Sequence, residues 1–183
     1  SANEDPRGRL RHSRCRLAGG LRGFSPPTCT MSKRTTIICN PGAGGVEDQA
    51  SIRSRLEQFR EAELRFTKVA GDGRSFAEQA VADGSEIIIA AGGDGTLNEV
   101  LNGMAEHADR VRLGLIPLGT GNDFARMLDL PTSIEDCIAL LRSDQVRATD
   151  VVRVSSDEVR YFINVSAGGF GGNVNGKLTL ELQ

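Results

Sequence analysis

The chain has 183 residues, enough for one domain of ordinary size with a buried core. Its hydrophobic share of 39%, charged share of 25% and net charge of −2 suit a globular protein and give no overall pull toward nucleic acid. The longest apolar run, Ile87-Ile88-Ile89-Ala90-Ala91, falls far short of the roughly 18 residues of a membrane span, so no transmembrane segment is expected.

Taken in chain order, residues 1–30 carry six Arg against Glu4 and Asp5 and have no helical or strand period. They read as a disordered tail, residues 1–31, ahead of Met31. No apolar stretch marks them as a secretory signal. Regular rhythm begins at residues 35–39 (TTIIC), a short β-rich run that ends in Asn40-Pro41-Gly42-Ala43-Gly44-Gly45. Val46, Ile52, Leu56 and Phe59 then fall on one side of a helix. Residues 64–69 (LRFTKV) predict a second strand and residues 74–82 a short helix. Residues 86–90 (EIIIA) form a third strand, apolar without alternation, as in a parallel strand buried on both faces. It ends in Gly92-Gly93-Asp94-Gly95-Thr96, after which Leu97, Val100, Leu101 and Met104 mark a helix. A fourth strand at residues 112–116 (RLGLI) leads into Pro117-Leu118-Gly119-Thr120-Gly121-Asn122-Asp123 and a short helix with Phe124, Ala125, Met127 and Leu128. A helix with Ile134, Cys137, Ile138 and Leu141 follows. Residues 146–154 and 159–165 then predict a strand pair about a Ser155-Ser156-Asp157-Glu158 turn.

Strand, loop and helix in repetition predict an α/β fold with a doubly wound parallel sheet. Ligands of such sheets bind at the carboxyl ends of the strands, and all three glycine-rich loops fall there. Glycine lets backbone approach phosphates, and a helix N-terminus supplies unpaired N–H groups and a positive dipole. Asp94 cannot bind an anion; it serves a hydroxyl, a metal or a helix cap. The first loop lacks the lysine of a Walker A loop and the last glycine of G-x-G-x-x-G, where Glu47 stands. The second strand ends in Thr67-Lys68, without the acid that holds a dinucleotide ribose. A Rossmann dehydrogenase is therefore disfavoured. Gly171–Lys177 (GGNVNGK) fits a phosphate-loop pattern, but Leu178 replaces the magnesium-binding hydroxyl, and the match reads as chance. Cys15, Cys29, Cys39 and Cys137 have no metal-type spacing and read as free thiols of a reducing cytoplasm; His12 and His107 read as isolated surface residues.

Together, the loops NPGAGG at 40–45, GGDGTLNEV at 92–100 and PLGTGNDFAR at 117–126 resemble the diacylglycerol-kinase catalytic domain, over residue 35 to about residue 176. That family includes bacterial soluble lipid kinases and the related sphingosine and ceramide kinases. The resemblance implies a nucleotide-binding fold similar to NAD kinases and phosphofructokinases, with a β-rich second domain behind it. It implies kinase residues 32–155, the start of a truncated second domain at 156–183, and a chain inactive alone. It implies ATP contacts at Asn40, Pro41, Gly42, Ala43, Gly44, Thr67, Gly92, Gly93, Asp94, Gly95, Thr96, Leu97, Asn98 and Thr120. Asp94 is expected near the phosphates and Mg2+, and Asn122 and Asp123 near the acceptor hydroxyl. Asp94 and Asp123 are the candidate catalytic residues, and no residue here is assigned as a metal ligand.

The expected reaction passes the γ-phosphoryl group of ATP to a lipid hydroxyl, diacylglycerol giving phosphatidic acid, at the membrane surface of a cytoplasmic protein. Rival readings are a kinase of a sphingoid base or NAD, a nucleotide-binding module without turnover, and membrane attachment through the Arg-rich residues 1–30. Nucleic acid is not an expected partner, and a homodimer stays open.

Overall fold

Thr35–Cys39 is built of β-branched and apolar residues, and all five are buried. It is the second strand of the computed structural model, which describes residues 34–44, 49–155 and 158–163, and residues 11–18 as backbone. The elements are β1 (Arg11–Ala18), β2 (Thr35–Cys39), α1 (Gln49–Glu57), β3 (Ala62–Phe66), α2 (Asp72–Ala82), β4 (Ile87–Gly92), α3 (Asp94–Met104), β5 (Arg112–Pro117), α4 (Asp123–Met127), α5 (Ile134–Arg142), β6 (Val146–Ser155) and β7 (Val159–Phe162).

One seven-stranded sheet runs in the order β3-β2-β4-β5-β1-β6-β7. β3, β2, β4 and β5 are parallel, as an unbroken apolar strand such as Ile87–Gly92 requires when helices cover both faces. Alternate side chains of these strands enter two cores. Ile37, Cys39, Ile89 and Ile116 meet α1 and α5 through Ile52, Leu56, Ile138 and Leu141. Ile38, Ile88, Leu113 and Leu115 meet α2 and α3 through Ala77, Val81, Leu97 and Leu101. Chain order reverses between β2 and β4, so α1 lies on one face and α2 and α3 on the other. That reversal opens a crevice at the carboxyl edge.

One part differs from the sequence reading. Residues 11–18, expected within a disordered tail, form β1 between β5 and β6, in antiparallel register from Arg11↔Arg153 to Ala18↔Val146. Their sequence, RHSRCRLA, has no β-branched residue and only a short alternation at Arg14-Cys15-Arg16-Leu17, so the strand is set more by its neighbours than by local propensity. β7 pairs antiparallel with β6, as expected of residues 146–154 and 159–165, and its Tyr161 is buried in the core beside α3. The Asn102 amide of α3 holds it there, donating to Tyr161 O at 2.9 Å and accepting from Tyr161 N at 2.9 Å. The glycine-rich residues 164–176 and the phosphate-loop pattern at 171–177 lie outside the described residues.

Close packing of α2 on α3 depends on Gly103. A Cβ there would sit 2.4 Å from the Arg74 carbonyl oxygen and 2.7 Å from the Ala77 Cβ. Backbone cannot swing aside, so Gly103→Val should cost at least about 1–3 kcal/mol, read from the urea midpoint. The buried thiols give a second expectation. Burial pushes Cys39 and Cys137 up to about 12 from the ordinary 9.0, with Asp136 and Glu135 adding to the effect at Cys137. Both should resist alkylation in the native protein at pH 8. Unfolded thiols ionise near 9 while the folded ones stay neutral, so stability should hold below 9 and fall as pH climbs toward 12.

Candidate functional site

Three parallel strands deliver their loops to one place. β2 ends in Asn40–Gly44, β4 in Gly92 and Gly93, and β5 in Leu118 to Asn122. Neighbouring strand ends lie ~5 Å apart, so the loops must pass at backbone distance. Two glycines make this possible. Gly44 has φ +97°, and a Cβ on it would stand 2.2 Å from the Leu118 carbonyl oxygen. A Cβ on Gly119 would stand 2.6 Å from the Gly93 Cα. Only bare backbone can occupy both positions.

Asn40 fixes the first loop. Its side-chain oxygen accepts from Gly42 N at 3.0 Å, and its own N–H donates to the Ala91 carbonyl of β4 at 2.9 Å. In the third loop Asn122 plays the same part from φ 52°: its oxygen accepts from Gly119 N at 3.0 Å and its amide nitrogen donates to Gly119 O at 2.5 Å. Asp94 opens α3 and reaches across to α4. Its two carboxylate oxygens accept from the backbone N–H groups of Asp123 at 3.1 Å and Phe124 at 3.3 Å. The capping role considered for Asp94 is therefore present, but on the neighbouring helix rather than its own. Asp123 itself is exposed and forms an ion pair with Arg126.

A fourth loop flanks the crevice. Thr67 follows β3 and donates its N–H to the Cys39 carbonyl at 2.8 Å. Two carboxylates close the loop behind it. Asp72 accepts from Lys68 N at 2.7 Å and Val69 N at 3.0 Å, and those two N–H groups hold its carboxyl below the usual carboxylate range. Glu99 of α3 accepts from Gly71 N and Gly73 N, each at 3.0 Å, at the start of α2. Between the first and fourth loops lies a cavity of about 750 Å³, walled in part by Asn40, Gly42, Thr67, Lys68 and Arg53. Its wall carries Arg53 and Lys68 and, among the described residues, no carboxylate.

These loops can now be set against known proteins. A family model, the diacylglycerol kinase catalytic domain, matches residues 34–154. The chain belongs to that family. A diacylglycerol kinase from Staphylococcus saprophyticus is 40% identical over 143 residues, covering 76% of this chain and 46% of the relative. One from Staphylococcus haemolyticus is 41% identical, covering 76% of this chain and 42% of the relative. A solved diacylglycerol kinase structure from Bacillus anthracis aligns with TM-score 0.58 at 32% identity, over 67% of this chain and 46% of the other. The chain thus spans about half the length of the curated relatives it matches.

Of the residues expected at the site, Asn40 to Gly44, Gly92 to Asp94, Asn122 and Asp123 come together at the carboxyl edge, with Thr67 beside them and Gly95 and Thr120 exposed nearby. Thr96 and Leu97 do not turn outward: Leu97 packs in the core and Thr96 is buried beneath Gly92. Asn98 lies farther along α3, where its carbonyl and side-chain oxygens accept from the Asn102 amide at 2.8 and 3.3 Å. Among the described residues no group of three or more His, Cys, Asp or Glu is placed to hold a metal. No helix among them is long and apolar enough to cross a membrane.

Glu99 was not singled out in the sequence, although it stands inside the GGDGTLNEV run. It holds the Thr67 loop to the helix that begins at Asp94. Glu99→Ala should raise amide exchange at Gly71 and Gly73 by at least about tenfold, each N–H having lost a charged acceptor. Glu99→Gln, which keeps one acceptor, should fall between the two. Hydrogen-exchange mass spectrometry of the peptide spanning 67–73 measures it, and unchanged exchange in both variants would leave Asp72 as sole support.

Proposed function

We propose that this chain carries the nucleotide-binding half of an ATP-dependent lipid kinase, which passes the γ-phosphoryl group to the hydroxyl of diacylglycerol to give phosphatidic acid. One observation carries the reading: in a chain of this family, strand-end loops converge as bare backbone on one crevice, with Lys68 on the wall of the adjoining cavity. Bare loop backbone that leads into a helix N-terminus suits the phosphates of a nucleotide. Phosphoryl transfer asks the protein mainly to position the reactants and offset charge.

In this reading the bare backbone of Gly42 to Gly44 and Gly92 to Gly93 borders the phosphates, and Thr67 borders the nucleoside. Asp94 stands where a phosphate-bound metal would meet protein. A single carboxylate with substrate phosphates is a usual Mg2+ arrangement, so the lack of a three-ligand cluster among the described residues fits it. When bound, Mg2+ would offset charge developing on the transferred group. Asp94 has a second task on the same atoms, holding Asp123 and Phe124 in place, and so sets where the acceptor loop sits. Asn122 shapes that loop through Gly119, and the second N–H of its amide would face the acceptor hydroxyl. Asp123 is the candidate carboxylate for the acceptor hydroxyl. Its Oδ1 is engaged by Arg126, so it would release that pair to take a proton. The further length of the relatives would supply the opposite wall of the cleft and a freer base. The protein would meet its lipid at the membrane surface from the cytoplasm.

The test is transfer of radiolabelled phosphate from ATP to diacylglycerol in mixed micelles with Mg2+. It compares this chain with a version extended to the length of its relatives, each also as Asp94→Asn. Turnover in the extended form, cut at least about 100-fold by Asp94→Asn with an unchanged circular dichroism spectrum, is the expected result. Phosphorylation of a sphingoid base or NAD in preference to diacylglycerol would move the acceptor. Near-normal turnover of Asp94→Asn would remove the role given to that residue.

A further inference from the structure

The cavity beside the first loop holds an arrangement that the phosphate-binding loops leave unused. Arg53, on α1, places its guanidinium carbon over the Phe66 ring, 4.5 Å from the centroid. Phe66 is the last residue of β3, directly before Thr67. The Nε of Arg53 donates to Glu57 at 3.0 Å, one helical turn on, which fixes one edge of the group. One face is thus covered and one edge tied, yet the side chain is 60% exposed, and Arg53 lines the cavity with Asn40, Gly42 and Thr67.

We propose that Arg53, backed by Phe66, is the platform on which the purine ring of the nucleotide stacks. This rests on reading the crevice as a nucleotide site. A guanidinium is flat and weakly hydrated, and it stacks on aromatic planes as readily as it pairs with charge. With Phe66 behind it, Arg53 has a single free face, and a flat ring entering the cavity completes a three-layer stack. Topology decides which end of a nucleotide lies there. The glycine loops of β2, β4 and β5 meet on the far side of β2, while Arg53 and Phe66 sit on its β3 side. A triphosphate held by the converging loops directs its base toward β3. Arg53 is then a specificity-determining residue for the planar base, and Glu57 is its positioning residue.

The experiment compares three probes by calorimetry: ATP, adenosine and inorganic tripolyphosphate. They are titrated into the protein and into Arg53→Ala, Arg53→Lys and Phe66→Leu, with thermal melts confirming that each variant folds. Expected are losses of about tenfold for ATP and adenosine in both Arg53 variants, since lysine keeps the charge but not the plane. A smaller loss is expected in Phe66→Leu, with tripolyphosphate unchanged throughout. Full ATP affinity in Arg53→Lys, or loss of tripolyphosphate with adenosine retained, would overturn the stacking role in favour of a phosphate contact. Equal binding of ATP by all four proteins would sink this inference alone. Failure of the unaltered protein to bind either ATP or adenosine would remove the nucleotide reading as well.

Discussion

The site depends on backbone passing backbone at the carboxyl edge of the sheet. Gly44 against Leu118 and Gly119 against Gly93 bring three loops closer than any Cβ allows. That approach is not a property of the loops alone. It follows from parallel strands held at ladder spacing by Ile37, Ile38, Ile88 and Ile89, which are fully buried. The core therefore sets the distance between the loops, and the glycines are what that distance permits. A methyl group at either position would part the loops rather than merely strain one of them.

Carboxylates do the stitching between these elements. Asp94 fastens α4 to the start of α3, and Glu99, farther along the same helix, fastens the beginning of α2. Each accepts two backbone N–H groups from a neighbouring segment, a use of charge that needs no cation. α3 is thus the beam from which the Gly119–Asp123 loop and the Thr67 loop both hang. Its own cohesion is apolar, through Leu97, Val100, Leu101 and Met104 packed under the sheet. Polar edge and apolar underside divide the labour: one orients, the other anchors.

Much of this could be read from residue order. Buried strands without alternation, followed by glycine clusters and helices of 3.6-residue apolar period, mark β2, β4 and β5 and put three loops at one edge of the sheet. What escaped was tertiary in origin. Residues 11–18 have no strand signature of their own, and their pairing with residues 146–153 spans most of the chain. Glu99 looks like an ordinary solvated helix residue until the fold brings Gly71 and Gly73 to it from 28 and 26 positions upstream. Arg53 likewise reads as a surface charge until β3 places Phe66 beneath it. In the other direction, the family resemblance implied Thr96 and Leu97 at the ligand. The turn of α3 carries their side chains inward, which leaves only their backbone near the crevice.

The amide of Asn102 has a bearing on self-association. Among the described residues β7 ends the sheet, and an end strand is a template on which another polypeptide can add by ladder bonding. Asn102 takes both the N–H and the carbonyl of Tyr161, the pair that an incoming strand would need at the middle of β7. A single helix side chain thereby works as a plug in the rail, keeping the sheet from growing into a fibre at that edge without adding a charge or a proline.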